Sequence, residues 1–161
     1  MSEPARERAA ATALSTRAAA AERPDGIALV VEGEELTWVE LARRVAAAGQ
    51  ELLALGALDS APPVSGWPAE VPRVAVLGER RLDVAVAVLA LIELGAPFAL
   101  LHPRWVATER RRIVDALLPA VVLDESWRAP ESSERASARF EAAAARRDLS
   151  DDERPLAVPF T

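Results

Sequence analysis

No cysteine occurs among the 161 residues, which removes disulfides, thiolate nucleophiles and sulfur-ligated zinc or iron–sulfur sites together. Lysine is absent as well: all 19 basic residues are arginine, so Schiff-base chemistry and a phosphate-gripping lysine are excluded from this polypeptide. His102 is the single histidine, and neither a Ser-His-Asp triad nor a two-histidine metal site can be assembled within the chain. Neither Gly-x-Gly-x-x-Gly nor Gly-x-x-x-x-Gly-Lys-Ser/Thr is present; the glycines stand singly, as helix stops and turns. Long apolar runs are also missing. In the most apolar stretch, Leu82 to Leu101, Asp83 and Glu93 interrupt and Gly95-Ala96-Pro97 breaks the run, leaving segments far below the ~18 residues of a spanning helix. The first twenty residues carry Glu3, Arg6, Glu7, Arg8 and Arg17 among alanines and lack the apolar centre of a secretory signal.

What is present is the composition of one folded domain over residues 1–161, with 51% hydrophobic and 27% charged residues and both signs interleaved. A net charge of −6 opposes a phosphate backbone or an anionic bilayer, so neither nucleic acid nor membrane is expected as a partner. The lack of cysteine fits a cytoplasmic location.

Along the chain, Ala9 to Ala21 is helix-forming but has only Leu14 as a large apolar residue. Ile27 to Val31 reads as a strand turning at Glu32-Gly33-Glu34-Glu35 into Leu36. Thr37 and Glu40 form a capping box, opening a helix with Trp38, Leu41, Val45, Ala48, Leu52 and Leu55 on one face and Gly56 as its stop. Residues 58–72 contain four prolines and read as a surface loop in which Trp67 lies over apolar surface. Val74 to Leu77 is an apolar strand, Val84 to Ile92 a helix stopped by Gly95, Pro97 to Leu101 a strand, Thr108 the cap of a helix to about Leu118, and Ala120 to Leu123 a strand. This βαβαβ alternation predicts an α/β fold, a largely parallel sheet flanked by helices. Residues 124–154 turn polar, with a helix expected over Glu131 to Arg147 and a last strand over Pro155 to Phe160.

Few side chains offer chemistry. His102 follows a strand at its carboxyl end, where open α/β sheets bind ligands, but a histidine before Pro103 in a strand-to-helix turn more often serves the turn itself. Arg110-Arg111-Arg112 point about 100° apart on a helix and read as a solvated face. Asp151-Asp152-Glu153 lacks the alternating ligands and glycine of a calcium loop. No catalytic residue and no metal ligand is predicted.

Three stretches carry a family resemblance. Ala28-Leu29-Val30 through Leu36-Thr37-Trp38-Val39-Glu40-Leu41 resembles a strand, hairpin and Leu-Thr-Tyr-x-Glu-Leu helix start, with Trp38 in the tyrosine place. Leu91-Ile92-Glu93-Leu94-Gly95-Ala96-Pro97-Phe98-Ala99-Leu100-Leu101-His102-Pro103 resembles Leu-Lys-Ala-Gly-x-x-Tyr-Val-Pro-Leu-Asp-Pro, departing at Glu93 and His102. Val158-Pro159-Phe160-Thr161 is similar to the strand that leads into Ser-Gly-Thr-Thr-Gly-x-Pro-Lys, which does not follow here. In this order and at this spacing, over about residues 25–161, they resemble the N-terminal subdomain of adenylate-forming ligases: acyl-CoA synthetases, luciferases and the adenylation domains of peptide synthetases. A further departure is the long proline-rich loop before Val74.

The resemblance implies a carboxylate–CoA ligase that uses ATP and magnesium in its full-length form, first making an acyl-adenylate and then a thioester. The Leu-His-Pro-Arg and Thr-Glu-Arg stretches of residues 101–110 lean towards the o-succinylbenzoate-CoA ligases of menaquinone synthesis. Thr161 would be the first position of the phosphate loop and the sole cofactor-binding candidate. A chain truncated before that loop is expected to bind no cofactor and to be inactive alone, because loss of even one donor of this kind costs about 10²–10³ in rate. Its expected partner is the remainder of the ligase, or a protein covering exposed apolar surface, with self-association as a consequence of leaving that surface bare. Two competing readings are a non-catalytic interaction or regulatory module with a ligase-like front end, and a small-molecule binder at the sheet edge near His102.

Overall fold

The structure is a computed structural model, and it describes residues 15–59 and 73–131. Trp67, the Glu131–Arg147 helix beyond its first residue, the strand at Pro155 to Phe160, the Asp151-Asp152-Glu153 turn and Thr161 lie outside the described residues.

The chain enters through α1, Thr16–Glu22. Ser15 is extended and its Oγ accepts from the Ala18 N–H at 3.3 Å, which makes it the N-cap of α1. Of the helix expected over Ala9 to Ala21, the part from Thr16 is present, and residues 9–14 lie outside the described residues. A two-residue hairpin follows. Strands β1, Ile27–Val31, and β2, Glu34–Thr37, pair antiparallel around Glu32 and Gly33, both with positive φ (52° and 88°), the geometry that matches strand twist.

Thr37 then caps α2, Trp38–Ala54, through the expected box: the Thr37 N–H donates to Glu40 Oε2 at 2.9 Å and the Glu40 N–H to Thr37 Oγ1 at 3.4 Å. Leu41, Val45, Ala48 and Leu52 are buried along one face. Leu55, expected on that face, is exposed instead, because the helix has already ended. Gly56 at φ 88° lets its own N–H reach Leu53 O and the Ala57 N–H reach Leu52 O, a Schellman stop.

The second half is a three-stranded parallel sheet, β3 Val74–Leu77, β4 Phe98–Leu101 and β5 Val121–Leu123, with β3 in the centre. The α/β reading with helices on a parallel sheet is thus met. The connecting helices are α3, Leu82–Leu94, and α4, Ala107–Leu117. Alternation along β3 assigns the faces: Val74 and Val76 join α2 and α3 in the larger core, whereas Ala75 and Leu77 pack with Ala99, Leu101 and Leu117 under α4. The two crossovers therefore use opposite faces. Gly95, at φ 67°, ends α3 as expected.

Thr108 does not cap α4. Val106 holds that position, and Glu109 reaches back to accept its N–H at 3.3 Å, so only the carboxylate half of a capping box is available. Among the described residues Arg73 is the largest fully buried side chain, 1% exposed. Its Nε–H donates to Leu117 O at 2.8 Å and Nη2 to Leu118 O at 3.4 Å, while Ala120 N–H donates to Arg73 O at 2.9 Å. One residue thus closes the turn from α4 into β5, and burial pushes its guanidinium pKa down.

Candidate functional site

The parallel strands deliver three loops to one end of the sheet, where ligands bind in open α/β folds. These are residues 78–81 after β3, 102–106 after β4 and 124–131 after β5.

After β4, His102 is exposed. Its Nδ1 accepts the Arg104 N–H at 3.1 Å, the Trp105 N–H donates to His102 O at 3.1 Å, and the two rings lie 6.1 Å apart. The imidazole thus shapes the turn, and it is not among the residues lining the groove described next.

A groove of about 280 Å³ opens between α4 and β5. Its floor is apolar, with Leu77, Leu101, Val114 and Val122, and its rim carries Arg110, Arg111, Asp115, Asp124 and Glu125. Two of the three consecutive arginines face it, and Arg110 is half-buried 3.6 Å from Glu125 rather than free on a solvated face. The difference arises because β5 turns Glu125 towards the first turns of α4, a placement the helix sequence alone does not contain. With two cations and three carboxylates on the rim, the groove selects no ligand charge.

The densest polar network joins the loops after β3 and β5. Arg81 donates to Glu79 Oε2 (3.2 Å), Asp83 Oδ2 (2.9 Å), Glu125 O (2.8 Å) and Trp127 O (2.9 Å). The hydrogen bond with Asp83, followed by that with Glu79, holds its pKa above the ordinary arginine value despite partial burial. Asp83 also accepts the Ala129 N–H through Oδ1 at 2.9 Å. Asp124 accepts from both the hydroxyl and the N–H of Ser126, which hold its carboxyl below the ordinary range. Sequence reasoning missed Arg81, since an arginine at a strand-to-helix turn has no pattern to distinguish it from Arg80.

Elsewhere, Glu93, a departure from the family pattern, accepts both the N–H (2.7 Å) and the hydroxyl (2.5 Å) of Thr16 and so ties α1 to α3. Among the described residues no group of three or more His, Asp or Glu side chains is arranged to hold a metal ion, and no helix is long and apolar enough to cross a membrane.

Comparison with known proteins sets this arrangement in context. A family model described as AMP-binding enzyme matches residues 16–157. No curated protein sequence matches the chain. Among solved structures, a non-ribosomal peptide synthetase bound to alpha-methyl-L-serine-AMP is 23% identical with a TM-score of 0.57, over 69% of this chain and 11% of that one. The Bacillus subtilis o-succinylbenzoate CoA synthetase in complex with its acyl-adenylate intermediate is 23% identical with a TM-score of 0.53, over 72% of this chain and 28% of that one. The N-terminal subdomain of Klebsiella oxytoca NpsA in complex with 3-hydroxyanthranilyl-AMSN gives 18% identity and a TM-score of 0.53, over 81% of this chain and 30% of that one. At these identities the likeness is one of fold, and the chain spans less than a third of each of these proteins. The family match extends over most of the sequence, through both the hairpin and the parallel sheet, and by it the chain belongs to the AMP-binding enzyme family.

Proposed function

We propose that the chain is the N-terminal part of an ATP-dependent carboxylate–CoA ligase, contributing a packed α/β scaffold rather than reacting groups. The match of the AMP-binding family over residues 16–157 carries this reading. In such a ligase a carboxylate attacks the α-phosphorus of ATP, releasing pyrophosphate and leaving an acyl-adenylate; the CoA thiol then displaces AMP to give the thioester.

The residues of this chain do not fit ATP and magnesium. Its sequence contains no lysine and no glycine-rich phosphate loop, and its described residues form no metal-holding cluster. No step of the reaction is therefore assigned to it, and the 161-residue chain alone is inactive on this reading. Thr161 remains the one candidate contact to a phosphate. The stretch from Leu101 to Arg110 favours an o-succinylbenzoate-CoA ligase of menaquinone synthesis, working in the cytoplasm. Both outer strands have an unpaired edge among the described residues, with Leu100 and Val122 exposed beside them, and this is the surface that the remainder of a ligase would cover.

ATP–pyrophosphate exchange with o-succinylbenzoate and magnesium tests the proposal. The chain alone should give no exchange, and co-expression with the C-terminal remainder of an o-succinylbenzoate-CoA ligase should restore it. Pyrophosphate turnover by the chain alone would overturn the scaffold role. Failure to complement, with stoichiometric co-purification of an unrelated protein, would favour the interaction-module reading.

A further inference from the structure

After Leu123 the described residues 124–131 form neither helix nor strand. The segment is fastened by side chains from one turn of the fold, the start of α3. Arg81 binds the carbonyls of Glu125 and Trp127, and Asp83 binds the Ala129 amide. Arg128 Nη1 also donates to those two carbonyls, at 2.7 and 2.8 Å, but it belongs to the segment and would travel with it. Among the described residues its tie to the body is a 4.0 Å approach to Asp83 from a largely exposed position. On the opposite side the Glu125 carboxylate faces Arg110 at 3.6 Å with 62% of its side chain exposed, a pairing that contributes little. Apolar hold comes from Trp127 and Ala129, both half-buried against the larger core.

From this distribution we propose that residues 124–129 are a strap, latched by Arg81 and Asp83, which forms a movable wall of the groove between α4 and β5. Among the described residues the segment satisfies the conditions for opening locally: few apolar anchors, no backbone ladder and a small set of charged fastenings. Asp124 and Glu125 sit on the groove rim, so release of the latch widens access to Leu77, Leu101 and Val122 at the carboxyl end of the sheet. Arg81 is a positioning residue in this device, acting on the strap and not on a ligand. The inference does not depend on the ligase reading.

Amide hydrogen exchange on the 161-residue chain tests it, comparing the native sequence with Arg81→Met and Arg81→Lys. In Arg81→Met the amides of Ser126, Trp127 and Ala129 should exchange about ten-fold faster or more, as expected from losing charge-assisted bonds to two carbonyls, with Val76 and Val86 changed less than about two-fold. Arg81→Lys, which keeps the charge but not the two-armed geometry, should fall between and serves alone if the methionine variant does not fold. Equal acceleration in the strap and in β3 would mean that Arg81 supports the whole domain. Unchanged strap exchange would mean that packing of Trp127, and not the latch, holds the segment. Either result overturns the proposal.

Discussion

Replacing Arg73 by methionine removes a charged donor from the C-terminal end of α4 while keeping most of the side-chain volume. The bonds lost include those at 2.8 and 3.4 Å to the carbonyls of Leu117 and Leu118. A hydrogen bond to a charged group contributes about 1.5–3 kcal/mol, and a cation beside the last carbonyls of a helix adds up to ~1 kcal/mol. Against this stands the cost of burying the guanidinium, visible in its lowered pKa, which methionine escapes. The longer of the two bonds is weak, so the net loss should be about 2 kcal/mol. Alanine should lose more, about 4 kcal/mol, since the stem also fills space at the edge of the core. Urea unfolding followed by circular dichroism is the assay, with a lower midpoint at unchanged slope as the signature. A methionine variant as stable as the native chain would refute the reasoning, because the desolvation cost would then equal everything the two carbonyl bonds contribute.

Val106→Ser should raise stability by about 0.5–1 kcal/mol, since Val106 is 60% exposed and holds an N-cap with no acceptor of its own; an unchanged urea midpoint would count against it. Stability should also respond to acid. The Thr37 N–H and hydroxyl hold Glu40 below its ordinary value of 4.5, and Ser126 lowers Asp124 likewise. A carboxyl depressed in the folded state stabilises above its unfolded pKa and loses that contribution as pH falls through its folded one. The urea midpoint should therefore fall on acidification below about pH 4.5, and less steeply in a Glu40→Gln, Asp124→Asn double variant; parallel slopes would show that other groups govern acid lability.

The local elements were legible because their signals are contained within a few residues. Thr37 and Glu40 announce a capping box by spacing alone, and Gly56 and Gly95 occur where the chain needs positive φ. Val106 shows the limit of that approach. Thr108 has the side chain of a cap, but the N-cap lies two residues earlier, at the extended Val106, whose N–H meets Glu109. Arg110 likewise reads as solvated until β5 brings Glu125 opposite it.

By itself the sequence determined the alternation of strands and helices, since period and caps are local properties, and it excluded thiolate and lysine chemistry by composition. It also carried the likeness to adenylate-forming enzymes, through short motifs in order. Only the tertiary structure decided that β3 lies in the centre with its crossovers on opposite faces, that Arg73 closes the α4–β5 turn, and that Arg81 fastens the chain after β5. The two arginine contacts each join residues 44 positions apart, where the deciding quantity is which carbonyls are left without a partner once the strands pair.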